Sequence, residues 1–292
     1  MGGNGMAVVT NVIGGLGNQL FQYAMGYAVA KSNNDELYID ISHFAYEKRE
    51  FQLDKFEMST KILDVQPAKK DTTFFRMLAR IRRLSKTGLL TTKFFQEDSA
   101  FFWQYAYPHI QYKRNLYLNG YWQHWRYFDR YQRELVETLQ VKSTELSENA
   151  KKLIAEVSNK DTVAIHIRRG DYVQCDGWLI EPKFYLQAID VIEKEKQSNL
   201  RYYVFCEDEE FAASLLEDKE YSMITGKYAI NDVEEFAVMS ACSNHIISNS
   251  SYSWWAAYLH KNRKEEQTVV APLFKRWNKE FYLPNWKCIS TE

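Results

Sequence analysis

Proline is scarce in this chain, five residues in 292, so nothing reads as a rigid extended linker, and no low-complexity segment or short internal repeat interrupts it. Cysteine is scarcer still. Cys175, Cys206, Cys242 and Cys288 lie far apart and form no C-x-x-C pair, which argues against a zinc site or a dense disulfide framework and fits a reduced, cytoplasmic protein. No apolar run reaches the ~18 residues of a membrane-spanning helix. The opening residues MGGNG lack the basic and apolar regions of a secretory signal. Neither sign of charge is in excess: Lys plus Arg 37 against Asp plus Glu 38 leaves a net charge of −1, so the molecule as a whole has no pull toward nucleic acid. Any anion site must therefore be local.

What is abundant is aromatic surface, 15% of the residues, which suits stacking on a sugar ring and equally suits core packing. The length accommodates two domains. MAVVTNVIGGLGNQLFQYAMGYAVAKSNNDELYIDIS reads as strand, glycine turn, Ala-rich helix and second strand at 37–41, a βαβ unit that points to a parallel sheet. A helical region follows at about 72–86, then an aromatic stretch at 94–131 and a helix near 128–139. The polar run KSTELSENAKKLIAEVSNKDT puts the domain boundary near residue 158, giving domains 1–158 and 159–292. Beyond it strands at 162–168, 201–206, 221–225, 245–248 and 268–271 alternate with helices at 182–196, 208–216, 232–242 and 250–262. The fold class is α/β, with two Rossmann-like domains facing across a cleft.

Four stretches carry candidate chemistry. In TVAIHIRRGDY the side chains of a strand alternate, so His166 and Arg168 share one side at the carboxyl edge, where ligands bind in open α/β sheets. The guanidinium fork of Arg168 matches phosphate oxygens. Arg169 and Asp171 fit either a ligand site or a structural ion pair. In NHIISNSSYSWWAAYLHKN, Asn249, Ser250 and Ser251 stand at the start of an aromatic helix, whose free N–H groups make an anion seat; Trp254, Trp255 and Tyr258 read first as core. GGLGNQLFQYA matches the dinucleotide fingerprint G-x-G-x-x-G at Gly15 and Gly17, but Leu20 stands where the third glycine belongs, and Asp40 sits where the ribose-binding acid would be. In YYVFCEDEEF, Asp208 suits paired hydrogen bonds from a guanine, and suits a helix cap as well.

Together HIRRGDY, NSSYSWWAAYL, GGLGNQLFQYA and GYWQ at 120–123 resemble the signature blocks of the bacterial α1,2-fucosyltransferases, glycosyltransferase family 11, in order along almost the whole chain. The resemblance implies a GT-B fold, GDP-fucose as donor, inversion at the fucose anomeric carbon and no required metal or other cofactor. It further implies Arg168 on the donor β-phosphate, His166 and Asp208 near the guanine and ribose, Ser250 and Ser251 on the diphosphate, and Asn18 and Gln19 facing the donor from the N-terminal domain. The family pattern is departed from at Tyr252, Ala256 and the pair His124-Trp125.

Without a metal, Arg168 and the helix start at Ser250 and Ser251 must stabilise the leaving GDP. A base for the acceptor hydroxyl is offered by Asp171, Asp176, Asp40 or His166. The acceptor is expected to be a galactoside, of lactose, Gal-GlcNAc, Gal-GalNAc or lipid-linked type, bound by the N-terminal half through Tyr121, Trp122 and Gln123. The run FFRMLARIRRLSKTGLL at 74–90 is amphipathic and basic, which suits weak peripheral contact with the inner membrane and equally a solvated face. A fucosyltransferase of another linkage (α1,6 or O-linked), a Rossmann oxidoreductase and a non-catalytic sugar-binding module are the rival readings. Oligomeric state is left open.

Overall fold

The computed structural model describes residues 6–63, 92–159, 161–260 and 267–291; the basic run at 74–90 and the expected helix at 72–86 lie outside the described residues. The chain divides into two compact units, one of residues 1–54 and 58–133 and the other of 55–57 and 134–292. No helix among the described residues is long and apolar enough to cross a membrane.

The first unit is built on a five-stranded sheet of β1 (Ala7–Asn11), β2 (Glu36–Asp40), β3 (Lys61–Leu63), β4 (Thr92–Gln96) and β5 (Asn115–Asn119). The order is β3-β2-β1-β5-β4, and every pair is parallel. Every residue of β1 is buried, as a central parallel strand requires. Helix α1 (Leu16–Asn33) packs closely on β1 and β2 because Gly26 has no side chain: a Cβ there would lie 2.9 Å from Leu37 and 3.0 Å from Thr10. Asn34, left-handed at φ 55°, ends the helix.

The second unit holds β6 (Thr162–Ile167), β7 (Arg201–Cys206), β8 (Tyr221–Met223), β9 (Asn244–Ile246), β10 (Val269–Leu273) and β11 (Lys287–Ser290). They are parallel throughout in the order β11-β10-β9-β6-β7-β8. Its helices are α2 (Gln132–Thr138, which straddles the division), α3 (Glu148–Val157), α4 (Pro182–Lys196), α5 (Glu209–Leu215), α6 (Asp232–Ala241) and α7 (Ser251–Tyr258). The alternation expected of β6 is present. Val163, Ile165 and Ile167 join one core with Phe184, Ile189 and Val204, and burying each such side chain is worth roughly 1.5–3 kcal/mol.

Strand order reverses between β6 and β9, since β7 and β8 lie to one side and β9, β10 and β11 to the other. In such sheets the crevice at the carboxyl ends of the two reversing strands is the natural ligand position.

The division falls at Arg133, well before the boundary expected near residue 158. Polar composition suggested a linker, but α3 buries Ala150, Leu153 and Val157, and the Ser147 N–H donates to Glu234 Oε1 at 2.6 Å. Glu234 also closes a capping box at the start of α6, so 134–157 is tied into the second unit.

Candidate functional site

At the carboxyl end of β6, Arg168 donates from Nη1 to Glu207 Oε1 at 2.7 Å and from Nη2 to Asp171 Oδ1 at 2.6 Å, and it lies 5.2 Å from the Tyr172 ring. Glu207 fits because residue 170 is glycine: a Cβ there would sit 3.0 Å from its carboxylate. The guanidinium is thus aimed by two carboxylates while remaining 23% exposed at the edge of the sheet. Arg169 turns the other way, donating from Nε to Asp208 Oδ2 at 2.7 Å and stacking 3.9 Å over Phe211. Asp171 therefore braces Arg168, and the partner of Arg169 is Asp208. Asp208 also accepts the Phe211 N–H at 3.0 Å as the cap of α5, which holds its carboxyl below the usual aspartate range, with Arg169 adding to the effect. Its carboxylate is engaged within the protein, so the expected guanine contact would have to share or displace these bonds.

On the β9 side, Ser250 is the cap residue of α7 with no side-chain cap hydrogen bond, so the helix start is not closed by its own serine. Asn249 plays another part than expected. It is buried, its amide donates to the Trp178 carbonyl at 2.8 Å and accepts from Ser248 Oγ at 2.9 Å, and it ties the loop after β6 to the end of β9. Trp254, Trp255 and Tyr258 are fully buried core. Tyr185 of α4, which the sequence did not single out, is buried beside Ser248 and the Arg168 backbone, and burial raises its pKa.

His166 is not an exposed acid or base. It is buried against Tyr252, ring centroids 5.8 Å apart, and burial, assisted by Arg168, lowers its pKa to about 3. The imidazole is neutral at physiological pH, and burial is what makes the imidazolium costly.

In the first unit, Gly14 (φ 77°) makes the turn after β1, and Gly15 precedes α1 in a space that a Cβ would contest with the Arg49 guanidinium at 2.6 Å. Gly17 is buried within the first helical turn. Gln19 does not face outward. Its Nε2 donates to the carbonyls of Gly14 and Glu50 at 2.8 and 2.9 Å, and its Oε1 accepts from the Gln52 N–H at 3.0 Å, so its amide is used up in holding 47–52 against the turn. Asp40 is likewise buried, accepting from the Ser42 N–H at 2.9 Å and the Tyr117 hydroxyl at 2.7 Å, so an acceptor or base role for it would have to compete with these bonds. Asn18 and Gln123 stay at the edge, joined by a bond from Gln123 Nε2 to Asn18 Oδ1 at 2.8 Å.

Trp122 is corrected too. It is fully buried among Phe95, Tyr107 and Tyr127 and belongs to the core, with φ 55°. The buried Glu97, which nothing in the sequence marked, holds that turn: its Oε2 accepts the N–H groups of Tyr121 at 2.6 Å and Trp122 at 3.1 Å, and burial pushes its carboxyl pKa up. The turn leaves Tyr121 and Gln123 half-buried at the carboxyl edge of β5.

Two Rossmann-type parallel sheets in one chain, the second bearing a cation and an uncapped helix start at its reversal, define the GT-B class of glycosyltransferases. The chain belongs to glycosyl transferase family 11, whose model matches residues 5–290. It is 31% identical over 282 residues to an α-1,2-colitosyltransferase of Escherichia coli, covering 92% of this chain and 93% of the relative. It is 29% identical over 287 residues to the O-antigen biosynthesis glycosyltransferase WbnK of the same organism, covering 90% and 92%. The fold is shared with NodZ α-1,6-fucosyltransferase co-crystallized with GDP, at a TM-score of 0.51 and 13% identity over 87% of this chain and 92% of that one.

Proposed function

We propose that this chain is an inverting α1,2-fucosyltransferase that moves L-fucose from GDP-fucose to the 2-hydroxyl of a terminal galactoside without a metal. The observation that carries the donor half is the β6/β9 reversal, with Arg168 following β6 and the Ser250 start of α7 following β9, the place where open parallel sheets take ligands. A diphosphate leaving group gains negative charge as the glycosidic bond breaks, and fixed N–H donors and a guanidinium stabilise that charge without a metal. The GDP-bound structural neighbour supports a guanosine diphosphate in this role. In the first unit, Tyr121, Gln123 and Asn18 offer one aromatic face and two amides to a sugar.

The relatives favour a second reading of the same chemistry, in which the sugar transferred is colitose. The O-antigen relative supports a lipid-linked or polysaccharide galactoside over free lactose as acceptor. The test is mass spectrometry of reactions with GDP-fucose or nucleotide-activated colitose and a panel of galactosides, with and without EDTA, followed by linkage analysis. A fucosylated 1,2-linked product formed in EDTA is expected. Transfer only of colitose would move the donor assignment, loss in EDTA would overturn metal independence, and another linkage would overturn the 2-hydroxyl.

A further inference from the structure

The carboxyl edge of the first sheet carries an imidazole–carboxylate pair that the proposed function does not yet use. Just past β2, the Asp40 carboxylate accepts the Ser42 N–H and anchors a short 3-10 turn, Ser42–Ala45. From that turn His43 Nε2 meets Glu47 Oε1 at 2.7 Å, both side chains little more than a quarter exposed. Glu47 is tethered in turn: its Oε2 accepts the Gly14 N–H at 3.1 Å, on the glycine turn that precedes α1. An ordinary i,i+4 surface pair has no such second anchor and contributes little.

The pair also has the right neighbours. A Cβ on Gly14 would lie 3.0 Å from Asn18 Nδ2, Asn18 is bonded to Gln123, and Tyr121 lies close enough to feel the charge of Glu47. Through Gly14, Glu47 thus adjoins the residues assigned above to the acceptor, and His43 is paired with it. With Nε2 paired to Glu47, the ring nitrogen left to accept a proton is Nδ1, for which the structure gives no hydrogen-bond partner among the described residues. A carboxylate that fixes the tautomer and stabilises the imidazolium is the arrangement by which histidine serves as a general base. Of the bases that the sequence offered, His166 is buried, Asp40 is buried and bonded, Asp171 braces Arg168, and Asp176 is exposed in the loop after β6 with no carboxylate or imidazole shown beside it among the described residues.

We propose that His43, oriented by Glu47, takes the proton from the acceptor hydroxyl during sugar transfer. This rests on the transferase reading above. The hydroxyl oxygen forms the new bond to the fucose anomeric carbon as the bond from that carbon to the β-phosphate oxygen breaks, its electron pair leaving with GDP. The proton passes to His43 Nδ1 and then to solvent.

The experiment compares the full-length wild type with His43→Ala and Glu47→Gln, measuring kcat, KM for both substrates, GDP affinity, thermal unfolding, and rescue by free imidazole. For His43→Ala a fall in kcat of about 100-fold or more is expected, with GDP affinity unchanged and activity partly restored by imidazole. For Glu47→Gln, which keeps the bulk of the side chain, a smaller fall in kcat is expected, again with GDP affinity unchanged. A folded His43→Ala enzyme with kcat near wild type overturns the inference; should that variant not fold, a Glu47→Gln enzyme with unchanged kcat does so. Both outcomes leave wild-type transfer intact, whereas a wild type that transfers no sugar overturns the functional reading itself.

Discussion

Among single residues, the sharpest divergence between type and role is at Trp122. A tryptophan in a Gly-Tyr-Trp-Gln run invites a sugar platform, yet the ring is fully buried and its neighbours Tyr121 and Gln123 are the ones at the edge. What decides this is the left-handed backbone at Trp122, held by the Glu97 carboxylate, and a sequence does not display φ. Trp122→Ala is expected to cost about 3–5 kcal/mol of stability, read by chemical denaturation. Had Trp122 been a surface platform, its removal would have weakened acceptor binding and left stability nearly unchanged. Gln19, Asn249 and Asp40 teach the same lesson: their types suit ligands, but their bonding groups are engaged by backbone or by a neighbouring side chain. Arg168 was legible because strand alternation alone places it beside His166 at the sheet edge.

Elements of the second unit from β6 to β10 were legible to within a few residues, while α3 and β11 were not read as elements. Pro182 at the first turn and the polar end at Lys196 bound α4, and β7 is bounded by Arg201 and Cys206 as the apolar run suggested. In the first unit β3, β4 and β5 escaped notice. Three to five residues such as Lys-Ile-Leu or Asn-Leu-Tyr-Leu-Asn are too short to show a period, and neighbouring strands select them. At this scale the proposed donor site would depend on how α4 packs beside the ends of β6 and β9. Tyr185→Phe keeps the ring and removes only the hydroxyl, which lies beside Ser248 and the Arg168 backbone. A neutral hydrogen bond of about 1 kcal/mol converts to GDP affinity weakened roughly fivefold by calorimetry. Unchanged affinity would mean that Tyr185 serves stability alone.

The whole molecule has a pH dependence set by its buried histidines. Burial lowers the pKa of His166 and His245 to about 3 and of His124 to about 4, and it lowers His260 too, from an ordinary value of 6.5. In the unfolded chain these groups take up protons as pH falls below 6.5, and in the folded protein they do so only at lower pH. Their contribution is therefore fully present above 6.5 and is lost progressively toward the folded values. Buried Glu97 and Glu235, whose pKa values are raised, act with the opposite sign as pH falls toward the ordinary carboxylate range. Urea midpoints are expected to drop between pH 7 and pH 5.5, where the histidines dominate, and His166→Gln should make that drop shallower. The parallel two-unit architecture was readable from the recurrence of βα units, but the division point was not. Polar residues at 142–161 look like a linker until α3 is seen packed by Ala150, Leu153 and Val157.

The central claim is that the β6/β9 reversal holds the diphosphate of GDP through Arg168, and calorimetric titration of GDP in EDTA buffer tests it most directly. The wild type is expected to bind, and a folded Arg168→Ala variant is expected to bind about 10- to 100-fold more weakly, the worth of hydrogen bonds to a charged group. Equal affinity in the two proteins, or no binding by the wild type until a metal is added, would contradict the account.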